Sequence, residues 1–543
     1  MPPPDLGTFR GLHPATGDSL VHGRRRGAGM ARQQALLDDP LAMVYETEDA
    51  PALRAILGRT YHAVVGNPPY ITVADAAQNE AYRTHYGSCY RQYSLAVPFT
   101  ERFFDLAVAP ARSADATPAG FVGMITANSF MKREFGKRLI EEYIPQWDVT
   151  HIIDTAGAYI PGHGTPTVIL VGRHRRPRSE TIRAVMGIRG EPATPEDPAK
   201  GLVWSAICDQ LDRPGSESEF VSVADVARER FAKHPWAMGG GGAAELMAAL
   251  GAGADRRLGV FVDSIGRTTV VGEDDVWILD EATARRRGLA HRLRPLVIGE
   301  SVRDWTLFGI PGVLYPYTSL GGEAVDPSEP VVSRHLWIFR TSLAARSVFG
   351  KGMADAGKQW YEHLEHYRGK LRTPLSIAFA FVATHNHFVF DRGGRVFNRS
   401  APVIKLKPGA TEDDHYALLG LLNSSVACFW MKQVFYPKAG SGMGRGIQPE
   451  GWMDRYEFDG TKIQAFPIPE GHVRELALQL DRIAADDARL LDRAAGQPAG
   501  ATEQSLTRAS GEHQRNRAQL IALQEELDWE CYRLYGILAV DNG

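Results

Sequence analysis

The stretch that decides the reading is Tyr61-His62-Ala63-Val64-Val65-Gly66-Asn67-Pro68-Pro69-Tyr70. A short apolar, β-branched run that stops at glycine predicts a strand entering a loop. Two consecutive prolines then fix that loop, because each locks φ, removes a backbone donor and drives the residue before it towards extended geometry. What is left is a rigid pair of acceptors, the Asn67 amide oxygen and the Pro68 carbonyl, beside the ring of Tyr70. Such a set suits an exocyclic amino group on a flat ring. The amine has N–H bonds to donate, and its ring can stack on Tyr70. A loop rigidified for purely structural reasons would carry the same four residues.

Outward from this loop the pattern continues. Tyr93-Ser94-Leu95-Ala96-Val97-Pro98-Phe99 leads into a helix over 101–108. A strand and loop follow over Gly120–Phe130, then a helix over Phe135–Tyr143. His151–Asp154 and Thr165–Gly172 predict two further strands. In this order and spacing the elements resemble the second half of the sheet of amino-group methyltransferases. The wording NPPYITV (67–73), YSLAVPF (93–99), ITANSFMKREFGK (125–137) and GAYIPGHGTPTVILVGR (157–173) resembles the adenine-specific (N6) DNA methyltransferases of BREX and phage growth limitation defence systems. The fold implied is an α/β, partial Rossmann-like, S-adenosylmethionine-dependent methyltransferase domain. An α+β TaqI-like DNA-recognition domain and C-terminal helices would follow it. Protein-glutamine and ribosomal-RNA methyltransferases share NPPY, so they stay open as alternatives. The long region after Gly259 disfavours them.

The resemblance also sets expectations for individual residues. Asn67 and Pro68 would accept from adenine N6, with Pro69 holding the loop and Tyr70 stacking on a base flipped out of the duplex. Tyr159 would form the second wall around that base, while His163 reads as a turn residue. His13–Leu20 looks like the end of the family's third strand, where the Asp18 carboxylate would accept from the cofactor's adenine; an Asx-type turn is the plainer reading. No glycine-rich cofactor turn precedes Asn67. The chain is therefore expected to be the later part of a longer or split enzyme, whose partners would be its missing amino-terminal half and other BREX proteins. A catalytically incomplete DNA-binding subunit is the corresponding alternative. Gly239–Gly242 reads as a hinge, because no apolar strand precedes it and Pro235 interrupts the approach.

Composition bounds these readings. A chain of 543 residues has room for two or three domains. The expected divisions are 1–185 for the methyltransferase part and 186–258 for a linker or insertion. A recognition domain over 259–470 and a helical element over 471–543 complete them. A net charge of −3 argues against a generic nucleic-acid coat but leaves room for a local basic groove. Candidate phosphate contacts are Arg24–Arg26, Arg173–Arg176 and Arg285–Arg287, which are equally well read as solvated loops. The glycine-rich loop Lys438–Gly446 is another, with Lys438 and Arg445 as its cations. The four cysteines are far apart and form no CxxC pair, so a reducing cytoplasm is the simplest setting. No apolar run is long enough to span a membrane. No metal-ligand cluster is legible, and the expected chemistry needs no metal. Duplex DNA is the expected partner, S-adenosylmethionine the expected methyl donor.

Overall fold

The computed structural model describes residues 15–22, 49–110, 118–162, 164–325, 328–438, 454–495 and 502–538. They divide into two compact units, one over Met1–Ala244 and one over Glu245–Gly440 and Trp452–Gly543.

The first unit opens with a short helix α1 (Ala50–Leu57) and strand β1 (Ala63–Gly66). Helices α2 (Ala76–His85) and α3 (Ala96–Leu106) follow, then β2 (Phe121–Ala127), β3 (Asp148–Asp154) and β4 (Thr167–Arg173). β5 (Thr181–Gly187), helix α4 (Leu202–Gln210) and β6 (Val221–Ala227) complete it. The six strands form one sheet in the order β1-β2-β4-β3-β5-β6. β1 is parallel to β2, and β3 to β5. β4 runs antiparallel between β2 and β3, and β6 antiparallel beside β5. So β1, β2, β3 and β5 point the same way, and the loops after them share one edge of the sheet.

The α3 helix covers the sheet because its apolar residues fall on one stripe. Val97, Phe103 and Phe104 are buried with Val122, Met124, Ile152 and Leu170. A buried side chain of this size contributes roughly 1.5–3 kcal/mol. Gly66 is required where strand and helix meet, since a Cβ there would lie 2.8 Å from Phe103 Cζ.

Two expectations are corrected here. Residues 186–258 are not a linker. The sheet extends through β5 and β6, whose register runs from Thr181↔Ala227 to Gly187↔Val221. Gly239–Gly242, read as a hinge, falls just before the division between the two units, which comes after Ala244. Gly240 donates to the Gly187 carbonyl at 3.0 Å, and a Cβ on it would meet Ser222 Oγ at 2.5 Å. The helix expected over Phe135–Tyr143 is a 3-10 turn at Glu134–Gly136 followed by a π-helical turn at Leu139–Tyr143. A Cβ on Gly136 would lie 1.9 Å from the Phe130 carbonyl oxygen, a packing that constrains the chain path.

The second unit is built on a four-stranded sheet of β7 (Val262–Gly266), β10 (Ser376–Phe379), β11 (Phe388–Asp391) and β12 (Val403–Leu406), in the order β11-β10-β12-β7. A small hairpin, β8 (Val302–Arg303) and β9 (Thr306–Leu307), lies between β7 and β10 in sequence. Helices α5 (Glu412–Leu422) and α6 (Ser425–Val434) follow β12. They break at Ser424, whose side chain caps α6 by accepting from Ala427 N–H at 3.1 Å. The long helices α7 (Arg474–Ala495) and α8 (Glu503–Leu534) close the unit. Leu480, Leu527 and Cys531 share one buried cluster with Phe379, Phe388 and Tyr416. The C-terminal helices therefore belong to the core of the preceding region and are not a separate element.

Candidate active site at the carboxyl edge of the first sheet

Asn67–Tyr70 follows β1 directly, at the edge shared by the parallel strands. Asn67 and Pro69 are exposed, Pro68 is buried and Tyr70 is half-buried. Pro68 thus anchors the loop while Asn67 faces solvent. The loop exit is also held: Leu95 N–H donates to the Ile71 carbonyl at 2.9 Å, and Thr72 bridges Ser94. Tyr93, fully buried, donates from its hydroxyl to the Asn79 carbonyl at 2.7 Å. This explains why the YSLAVPF segment accompanies NPPY: it fixes the loop from behind.

The Asn67 side chain lies beside the Tyr70 hydroxyl, near enough to act on its acidity. Partial burial raises the Tyr70 hydroxyl above the ordinary tyrosine range, and the Asn67 contact opposes that rise. An amide that donates to the phenol oxygen keeps its own oxygen free to accept. Tyr70 therefore has two tasks available to it, stacking through its ring and orienting Asn67 through its hydroxyl.

Asp18 sits in the turn that the plainer reading expected. Its Oδ1 accepts from Leu20 N–H at 2.8 Å, and its Oδ2 accepts from the Tyr82 hydroxyl on α2. Burial, followed by the Asp18 carboxylate, raises the Tyr82 hydroxyl and keeps it a donor. The Tyr86 hydroxyl donates to the Leu20 carbonyl at 2.7 Å, and Arg102 Nε donates to the Ser19 carbonyl at 2.9 Å. Tyr82, Tyr86 and Arg102 thus bolt this segment to the two helices that follow the NPPY loop. Sequence reading missed all three, because each acts across a separation of more than sixty residues.

Tyr159 lies in the β3–β4 connection, on the same edge as Asn67. β1 and β3 are three positions apart in the sheet, about 14 Å at ordinary strand spacing. Asp154, at the end of β3, was not singled out in the sequence. Burial pushes its carboxyl up to about 6, against the Ala156 N–H it accepts at 2.9 Å and the charge of Lys132. His163 and Arg445 lie outside the described residues, as does the side chain of Lys438.

One grouping of side chains was not legible in the sequence. The second unit brings together Asp304, His385 and His387, with ligand atoms within 4.8 Å of one another. The alternation His385-Asn386-His387 was the available signal. Its partner Asp304 lies 83 residues from His387 and gives none.

Residues 38–160 match the family model described as Eco57I restriction-modification methylase. The chain is 43% identical over 543 residues to the adenine-specific methyltransferase PglX of Streptomyces coelicolor, covering 98% of this chain and 44% of that protein. It is 24% identical over 390 residues to the Type II methyltransferase M.XhoI of Xanthomonas vasicola, covering 70% of this chain and 65% of that one. Among solved structures, the Type IIL restriction-modification enzyme MmeI in complex with DNA aligns with a TM-score of 0.49 at 13% identity, over 88% of this chain and 55% of that one. The resemblance read from the motifs is borne out: along nearly its whole length this chain is similar to a PglX-type adenine-specific methyltransferase, of which it spans 44%.

Proposed function

We propose that this chain carries the catalytic loop and the DNA-reading part of an enzyme that methylates adenine N6 in duplex DNA, within a cytoplasmic BREX-type phage-defence system. The observation that carries the proposal is the exposed Asn67 amide, beside Tyr70 and followed by a buried Pro68, at the carboxyl edge of parallel strands. Ligand sites of open α/β sheets lie at that edge.

The chain's residues would act by position and polarisation. Asn67 Oδ1 and the Pro68 carbonyl accept the two N6–H bonds of a flipped adenine. That favours a pyramidal nitrogen with an exposed lone pair. Tyr70 stacks on the ring, and Tyr159 closes the site from the β3–β4 loop. S-adenosylmethionine, when bound, supplies a methyl group on a sulfonium. Asp18 is proposed to accept from the amino group of its adenine end, the role that the resemblance implies for this carboxylate. Direct displacement requires no metal. Lys438 and Arg445 are proposed to contact DNA phosphate.

One observation favours a second reading, a subunit whose cofactor pocket is completed by further chain. Among the described residues β1 is an edge strand, and Val65 on it is 78% exposed. An open parallel edge offers pairing to another strand, and the exposed Val65 face offers cover to a helix of the same further chain. Calorimetry of S-adenosylmethionine with this chain separates the two readings. Binding supports a self-sufficient site, and absence of binding supports the subunit. The common claim is tested by Asn67→Ala in the whole protein, which should lower the rate of N6-methyladenine formation about 100- to 1,000-fold while sparing DNA affinity.

A further inference from the structure

The second unit holds a cluster that methyl transfer does not use. Hairpin β8–β9 pairs Val302 with Leu307 and Arg303 with Thr306, so its turn is the dipeptide Asp304-Trp305. Trp305 adopts φ +61°. That left-handed conformation is costly for a bulky residue and persists only where packing enforces it. The enforcement is visible: Trp305 is 5% exposed, and its indole N–H donates to Gln524 Oε1 at 2.9 Å. The side chain that this fixed turn presents is the carboxylate of Asp304.

Opposite stands His385-Asn386-His387, leading into β11. Extended geometry places alternate residues on one side. Asn386 points inward and is locked, its amide donating to the Leu422 carbonyl at 2.7 Å and the Ser424 carbonyl at 3.2 Å. Both imidazoles consequently face the other way and converge on one oxygen. His387 Nδ1 lies 2.6 Å from Asp304 Oδ1, and His385 Nε2 lies 3.3 Å from the same atom. The far nitrogen of His385, Nδ1, is 3.0 Å from the Thr384 hydroxyl. Such an outer partner fixes a metal-binding imidazole in its ring orientation. The cluster opens on a cleft of about 830 Å3.

We propose that Asp304, His385 and His387 form a binding site for a single divalent transition-metal ion of the zinc class, cross-linking the Asp304 turn to the wall that carries the two histidines. The ligand set decides the class. Two imidazoles and one carboxylate suit zinc and its neighbours, whereas magnesium and calcium select oxygen-only sites. Metal–ligand bonds of about 2.0–2.1 Å in tetrahedral geometry place ligand atoms about 3.3 Å apart. The His385 separation already has that value. The His387 separation needs to widen by less than an ångström, and the Asp304 side chain, 65% exposed, is placed to allow it. Asp304 and His385 line the cleft, so water can supply a fourth ligand from that side.

The test uses the full, untagged chain and Zn2+ itself. Calorimetry should show one saturable equivalent per chain, and Co2+ in its place should give visible d–d absorption of a tetrahedral site. Mg2+ should give no saturable event. Zn2+ should raise Tm, by mass action on the folded state. Asp304→Asn, on an exposed side chain, and His385→Gln should each abolish the saturable event and the Tm shift while the circular dichroism spectrum stays native. Saturable binding that survives in the Asp304→Asn, His385→Gln double variant would overturn the assignment. So would a wild-type chain that binds no Zn2+, which would leave a hydrogen-bonded His–Asp–His cluster. Equal binding of Mg2+ would overturn the class.

Discussion

Replacing Gly66 by alanine probes the seam between the strand and its catalytic loop. The added Cβ would stand 2.8 Å from Cζ and 3.3 Å from Cε2 of Phe103. No real Cβ tolerates the shorter distance, so either the ring or the strand end must move by about 1 Å. Phe103 is 9% exposed and packed among core residues, including Phe99, whose ring meets it edge-on at 6.1 Å. A well-packed ring resists that shift, and overpacking of this kind costs about 1–3 kcal/mol. If the strand end yields instead, Asn67 moves with it, and a displacement near 1 Å at a positioned group can cost about 100-fold in rate. Urea unfolding of the chain gives the first number, and Phe103→Leu in the same background tests its origin. The smaller side chain should restore part of the stability, so that the double variant is more stable than the two single changes sum to. Unchanged stability of Gly66→Ala, or strict additivity with Phe103→Leu, would refute the close-packing argument.

Three further outcomes are expected. Tyr70→Ala should weaken methylation by the whole protein by about 1–3 kcal/mol through lost stacking. Tyr70→Phe, which keeps the ring but removes the hydroxyl beside Asn67, should fall between wild type and Tyr70→Ala in rate; equal damage from both would assign the whole effect to the hydroxyl. Asp154 has its folded pKa raised to about 6 from 3.8. The folded state therefore binds the proton more tightly, and wild-type stability is lost as pH rises from about 4 through 6. Asp154→Asn should stabilise the chain at pH 8 by at most about 3 kcal/mol, with the advantage gone below pH 4; a pH-independent difference would contradict the burial argument. Lys438→Ala with Arg445→Ala should flatten the salt dependence of DNA affinity by up to about two units if both touch phosphate. An unchanged slope would return that loop to a solvated role.

What the sequence made legible, and what it hid, follows physical lines. β1 to β4 announced themselves because Ala63-Val64-Val65, Val122–Ile125, Ile152-Ile153 and Val168–Val171 are apolar runs bounded by turn residues. β5 was hidden because Arg183 interrupts its apolar pattern and charged, proline-rich sequence flanks it; its pairing with β3 and β6 overrides that local signal. The break between α5 and α6 lay in plain view at Asn423-Ser424, an N-cap signal within an otherwise continuous apolar pattern. The Asn67–Tyr70 loop was readable because its residues are contiguous. The residues that hold Asp18, and the meeting of Asp304 with His385 and His387, were not, because they are assembled by tertiary contacts across long sequence separations.

The central claim is that Asn67 polarises adenine N6 for methyl transfer. The most direct measurement is N6-methyladenine formed in duplex DNA by the whole protein with S-adenosylmethionine, quantified by mass spectrometry of the digested DNA, for wild type and Asn67→Ala. Loss of one preorganised polar group predicts a fall of about 100- to 1,000-fold in rate, roughly 3–4 kcal/mol, with DNA affinity unchanged. Methylation of adenine N6 by Asn67→Ala at a rate close to wild type would contradict the account.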